Sequence, residues 1–478
     1  MKLSTRSKEY LIPEYSLTGD LLSFLTCNLQ YRYQNKGDLP PSMPIQLWFG
    51  EFIHGIMEEA FLHWENMGQK ERLDFPWNWE TQIKPIEELI IERLKVNGLN
   101  PPMDYLMNYG PENNIYSARV ERSINVWGPH LFPLIEDAEV LIKGIRKMPK
   151  LDDGTIRSEF YSINGVIDVL SSFKLDQISN LISSNSEKSI EDYNSQSSKK
   201  SFQDTLDSFF VVSTDEIKNY HNDELENSNE KDILRNKILE YLASNDEFKA
   251  LLKNYDGDED YEVIIDYKGM RRPSAPLNID LKNRDLNQYF FKEDTADNLS
   301  KKETEFRNWI QHEWQILTYA WLRNNQENQN KVLCGIIFYL NELVPSTDDL
   351  LSIKEDLIND NTDISKDFVS KEDWDILINW NPETDNPIHR DLSDEFKMNR
   401  SIRVIPIKED LIEGSLSEFD NVVKEIEGSM INELNGYKIK EAWKADAEER
   451  TCSACDFRSF CNKKHSEEKN NIPKFTIP

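Results

Sequence analysis

Asp266-Tyr267-Lys268 closes a short apolar run, Tyr261 to Lys268, that reads as a buried strand. Residues two apart on a strand share a face, so the carboxylate and the ammonium project together from its end. A carboxylate placed there can hold a hard divalent cation. A lysine beside it can orient water and offset phosphate charge. Alone, an Asp-x-Lys is ordinarily a surface ion pair. Asp168 changes the balance, because it is an acid inside the apolar stretch Gly165-Val-Ile-Asp-Val-Leu. A buried carboxylate is costly unless it is paired or bound to metal. Two strand-borne acids can converge on one ion; the plainer alternative is an outward-facing acid on an edge strand.

His54 and Glu58 stand four apart on one helical face, and an imidazole is a reasonable ligand for Mn²⁺ or Fe²⁺. Without partners, His54 would be a hydrogen-bonded core histidine. Gln315 and Tyr319 also share a helical face, which by itself is an ordinary amphipathic surface. Cys452-Ser-Ala-Cys455-Asp-Phe-Arg-Ser-Phe-Cys461 is C-x2-C-x5-C. Thiolates this close suit zinc or an iron–sulfur cluster, with the fourth ligand open among Cys27, Cys334 and His465. Cys334, in the apolar Val-Leu-Cys-Gly-Ile-Ile, reads as an inert core thiol. Five cysteines in a long chain are not a disulfide framework.

The elements that must carry these residues are legible in outline. A helix is expected over Ser16 to Gln30, with Ser16 as N-cap, and a second over Met43 to Glu65. Residues 80–145 carry helical patterns broken at Asn100-Pro-Pro and Gly128-Pro. Ser158 to Phe173 suggests strands bending around Gly165. Ser183 to Ser201 reads as a low-complexity loop, and Lys231 to Asn254 has helical periodicity. Glu303 to Asn324 reads as a helix, Lys331 to Leu340 and Ser401 to Lys408 as strands, and Leu416 to Leu434 as an amphipathic helix. An acidic stretch separates the last two strands. The class is α/β, with strands set among long helical segments.

With 478 residues the chain has room for two or three domains. Its 11 Trp, 18 Tyr and 22 Phe supply a core and exclude wholesale disorder. No apolar run approaches the ~18 residues of a membrane span. Met1 to Lys8 has no apolar stretch before a cleavage site, so a cytoplasmic protein is expected. The net charge of −30 argues at first against a nucleic-acid partner. Its distribution removes that objection. Ser171 to Asp260 holds ten basic against twenty acidic residues, and Asn341 to Asn435 nine against twenty-four. The remainder is nearly neutral, with basic clusters at Lys268/Arg271/Arg272, Lys282/Arg284 and Lys438/Lys440/Lys444.

The order of these features is informative: Cys27, then Gly50-x3-His54, Gly165-x2-Asp168, Asp266-Tyr-Lys268, Gln315-x3-Tyr319, and the three late cysteines. It resembles the PD-(D/E)XK nucleases of the RecB type. The nearest likeness is the branch with the CRISPR-adaptation nucleases and the AddB nuclease domain, where one early and three late cysteines hold a [4Fe–4S] cluster. The resemblance covers about half the chain. It implies a restriction-endonuclease-like mixed sheet flanked by helices and stapled by the cluster. By resemblance, His54, Asp168 and Asp266 would ligate Mg²⁺ or Mn²⁺ with the Tyr267 carbonyl, and Lys268 would be the catalytic lysine. Gln315 and Tyr319 would steady the site or the DNA, and Cys27, Cys452, Cys455 and Cys461 would hold the cluster.

The implied function is metal-dependent DNA cleavage, by an exonuclease or a single-strand endonuclease, in DNA repair, CRISPR adaptation or antiviral defence. Two alternatives stand beside it. One is a non-catalytic Fe–S subunit of a helicase–nuclease complex; the other is a zinc-stabilised binding module. No G-x4-G-K-[S/T] motor motif occurs, so a helicase would be a separate partner. The expected organisation is a helical region at 1–157 and a nuclease core at 158–342, interrupted by an acidic insertion at 172–258. An acidic insertion with the last core strand and helix follows at 343–440, then a cysteine segment at 441–478. Residues 70–157 and 343–398 are extra relative to a compact CRISPR-adaptation nuclease.

Overall fold

The apolar runs gather into one six-stranded mixed sheet in the computed structural model of the protein. The structure describes residues 12–37, 39, 45–174, 178, 236–255, 259–275, 301–360, 369–382, 390–445, 447, 452 and 455–461. His465, the Ser183 to Ser201 loop and the Lys282/Arg284 cluster lie outside them. Two compact units make up the chain: Met1–Ser171 with Glu262–Pro478, and Ser172–Tyr261.

The strands are β1 (Glu14–Ser16), β2 (Ile135–Lys147), β3 (Phe160–Lys174), β4 (Asp260–Lys268), β5 (Lys331–Tyr339) and β6 (Ile402–Pro406). Their order is β1-β3-β4-β5-β6, with β2 paired to β3. β1 runs parallel to β3, with Tyr15 opposite Ile163. β2 is antiparallel to β3, with Leu141 opposite Val166 and Lys147 opposite Phe160. β5 and β6 are antiparallel, with Ile336 opposite Val404. β4 and β5 are buried almost end to end, as interior strands covered on both faces must be. The Lys301–Asn324 and Glu409–Leu434 helices share one apolar core with the sheet. There Trp314, Ile316, Phe419, Val422 and Ile426 meet Ile142, Tyr161, Ile163, Ile264 and Ile337.

Several expectations change. Residues 135–147 are strand, not helix. The Phe132–Leu134 turn ends the helical run, and pairing along β3 outweighs the local helical pattern. Gly128-Pro does not break the chain, which stays helical from Ile115 to Leu134 while its winding changes. Pro129 stands where the winding changes from the Ser123–Trp127 segment to the Gly128–Leu131 turn. Ser158 to Phe173 does not bend at Gly165, because β3 passes straight through it. The helix expected over Ser16 to Gln30 has its Ser16 cap, which accepts from Gly19 N. It breaks at Cys27, which is extended at φ −167°, and resumes as Asn28–Gln34. The acidic stretch after β5 is helical over Thr347–Ile358, Lys371–Asn379 and Asp394–Ser401. It encloses its own core of Leu350, Ile353, Leu377, Trp380 and Phe396.

Within the Ser172–Tyr261 unit, the Lys231 to Asn254 pattern resolves into two helices, Lys237–Ser244 and Asp246–Leu252. Asn236 and Asn245 cap them. Residues 231–235 fall outside the described ones. Among the described residues no helix is long and apolar enough to cross a membrane.

Candidate active site and cysteine cavity

β3 and β4 are neighbours in the sheet, and this brings Asp168 to the end of β4. The Tyr267 N–H donates to Asp168 Oδ2 at 2.9 Å. The Ile45–Glu65 helix adds His54, whose Nδ1 lies 3.2 Å from the same oxygen. Gly269 permits that approach. A Cβ there would lie 3.1 Å from Phe49 and 3.2 Å from Ile53, so only glycine lets the chain leave β4 against this helix without displacing a ring. On the other side, Lys268 Nζ lies 2.7 Å from Asp266 Oδ2. The Lys301–Asn324 helix contributes Gln315, which accepts from Lys268 Nζ at 2.8 Å and donates to Asp266 Oδ1 at 2.9 Å. The Tyr319 hydroxyl, one turn on, is 3.4 Å from Gln315 Nε2. Four elements of distant sequence thus place His54, Asp168, Asp266, Tyr267, Lys268, Gln315 and Tyr319 in one cluster.

Its electrostatics are those of two acids against two bases. Burial favours the protonated form of Asp168, but the His54 and Lys268 charges outweigh it and hold its pKa below the ordinary value. Asp266 is 2% exposed, and burial together with the Asp168 charge raises its pKa against the pull of Lys268. Burial would lower His54, but Asp168 and Asp266 win and push it up to about 9. The Lys268 ammonium is likewise kept protonated, because the two carboxylates outweigh the cost of its burial. Glu58 stands apart, paired with Arg93 at 3.8 Å.

Two further residues carried no motif in the sequence. Glu139 holds φ +52° on β2, where burial and the Asp168 charge raise its pKa. Only the pairing of β2 with β3 brings it there. His312 is one turn before Gln315, buried, with Nδ1 3.1 Å from the Tyr339 hydroxyl. Burial lowers its pKa, and the Lys268 and Arg403 charges add to this. Its signal was the three-residue spacing to Gln315. The Arg271/Arg272 cluster is not an open basic patch. Arg271 meets Glu305 and Asp356, while the Arg272 amide donates to Glu342 at 2.8 Å.

The break at Cys27 turns that residue toward the C-terminal segment. Cys27, Cys452, Cys455 and Cys461 line one cavity, with Gln30, Ala445, Ala447 and Arg458. Burial pushes the Cys455 thiol up to about 11, and the other three cysteines add to this against the Phe457 amide. The two ends of the chain are clamped around the cavity. Leu29 N donates to Lys444 O at 2.9 Å, and Arg32 meets Glu433 at 2.6 Å. Trp443 packs edge-on to Phe24, and Tyr33 lies against Phe457. Cys334 is elsewhere, fully buried in β5, with its pKa raised by burial. Among the described residues no group of three or more His, Cys, Asp or Glu side chains is drawn together tightly enough to hold a metal ion.

No protein-family model matches the chain, and no curated protein matches it.

Proposed function

We propose that the chain is a metal-dependent deoxyribonuclease with a restriction-endonuclease-like core and a structural [4Fe–4S] cluster. The observation that carries this reading is the convergence of Asp168, midway along β3, with Asp266 and Lys268 at the end of the adjacent β4, with His54 at the Asp168 carboxylate. An imidazole and two carboxylates are donors suited to Mg²⁺ or Mn²⁺. The ion would supply charge for the scissile phosphate and an activated water. His54, as the neutral imidazole, Asp168 and Asp266 would hold it once the His54–Asp168 and Lys268–Asp266 pairs part to admit it. Lys268, kept as ammonium by the two acids, presents a fixed positive charge to a phosphate oxygen. Gln315 holds Lys268 and Asp266 in one orientation. Lys268 provides a cation in a chain of net charge −30, where a nucleic acid would otherwise be repelled.

The four cysteines of the cavity match the ligand set of a four-iron cluster. A four-iron cube takes one thiolate per iron, and the four cysteines around the cavity supply that number. The test of the reading is cleavage of single-stranded DNA with Mn²⁺ or Mg²⁺. Asp266→Asn and Lys268→Ala should each lose activity by at least about a hundredfold while keeping the wild-type circular dichroism. Two folded variants that cut like wild type would remove the active-site assignment.

A further inference from the structure

We propose that Arg458 and Gln30 are the charge-compensating and hydrogen-bonding partners of the cluster held by Cys27, Cys452, Cys455 and Cys461. This rests on the cluster reading above and adds two residues to it. Both side chains line the cysteine cavity. Arg458 Nε and Nη2, and Gln30 Oε1, are buried with no hydrogen-bond partner. Two unmet guanidinium donors in a pocket otherwise walled by Ala445 and Ala447 are expensive, and the unmet cation more so. Sulfur ligands of a cluster are the acceptors that would meet them.

The chemistry is complementary. An oxidised four-iron cube with four thiolates carries a net double negative charge, and burying it requires a cation or donors aimed at sulfur. Arg458 is fixed for that task by its backbone. Its N–H donates to Cys455 O at 3.3 Å, and its carbonyl accepts from Cys461 N at 3.2 Å. The side chain therefore starts midway between two of the four thiols. Tyr33 braces the turn against Phe457 and Phe460. Gln30 lies three residues past Cys27 on the Asn28–Gln34 helix. An unmet amide oxygen is the wrong end for a thiolate, and exchanging the two ends of the amide offers N–H donors in its place.

The test uses the full chain, purified anaerobically, as wild type, Arg458→Met, Arg458→Lys and Gln30→Leu. Iron and acid-labile sulfide are counted, the one-electron midpoint potential is read by EPR during a dithionite titration, and iron loss in air is followed by absorbance. The electron taken from dithionite adds a third negative charge to the cluster. Losing a neighbouring cation must then lower the potential. Arg458→Met should shift the potential down and lose iron on the order of tenfold faster. Gln30→Leu should move both in the same direction by less. Arg458→Lys should lie between wild type and Arg458→Met. Iron-replete Arg458→Met and Gln30→Leu with wild-type potential and wild-type iron loss would overturn the pairing while leaving the cluster. Wild-type protein with zinc, or without iron and sulfide, would overturn the cluster reading and the pairing with it. If Arg458→Met does not fold, Arg458→Lys and Gln30→Leu still decide the matter by the same two readouts.

Discussion

Gly165 passes so close to Tyr319 that a Cβ on it would lie 2.5 Å from Cε1 of the ring. The sheet and the Lys301–Asn324 helix therefore meet at a point where only a hydrogen fits, and the Tyr319 hydroxyl is set there 3.4 Å from Gln315. Gly165→Ala should displace the ring and cost about 1–3 kcal/mol, the usual price of overpacking. Tyr319→Leu should relieve much of that cost in the double variant, because the clash is with the ring. Chemical denaturation of the two singles and the double checks this. Additive losses would mean that β3 shifts instead and the contact does not set its position.

Gln315 spans the two charged groups of the site, accepting from Lys268 and donating to Asp266. Gln315→Leu keeps the volume and removes both bonds. It should lower kcat for cleavage of single-stranded DNA by about 10–100-fold, as loss of an outer hydrogen-bonding partner does. A wild-type kcat at saturating Mn²⁺ would show that Lys268 and Asp266 keep their orientation without the amide.

Strands β4 and β5 were legible because interior strands are apolar on both faces, and such runs resemble little else. β2 was not. Ile142 is its one buried residue, and charges at Glu136, Asp137, Glu139, Lys143, Arg146 and Lys147 dilute its alternation. The seven residues of the candidate site were visible as a series of spacings, and the structure brings them together. Glu139 was hidden because it reaches the site only through the pairing of β2. The clamp between Arg32 and Glu433 was hidden because it joins residues 401 apart, and no local pattern encodes such a contact. The break at Cys27 interrupts an apolar period that is continuous in the sequence.

The cavity separates the cysteines into two kinds. Cys27→Ser should lose iron as fully as Cys455→Ser, although Cys27 stands far from the other three in the sequence. Cys334→Ser should keep its iron. It should instead lose about 1–3 kcal/mol of stability, because a hydroxyl in β5 has no exposed face from which to reach water. Iron content and denaturant midpoints measure the two effects separately. Iron retained in Cys27→Ser would break the link between the two ends of the chain.

Glu87 should make stability depend on pH away from the candidate site. It lies on the Lys84–Val96 helix, which packs through Ile90 on Gly55, one residue from His54. Its buried carboxylate accepts from Tyr105 at 2.7 Å, Ser117 at 3.0 Å and Trp79 at 3.3 Å. Burial still raises its pKa above the ordinary value, against the pull of those three donors. A folded pKa above the unfolded one means that the unfolded chain gives up this proton first. The stabilisation from the protonated form is then complete below the unfolded value of about 4.3 and is lost as pH rises through the folded pKa. Glu87→Gln cannot titrate there, so the stability of wild type relative to this variant should fall as pH is raised from about 4 toward neutrality. Urea denaturation of both proteins across that range reads the difference directly. A difference that stays constant with pH would mean that Glu87 titrates alike in the folded and unfolded chains, and that its three donors fully offset its burial.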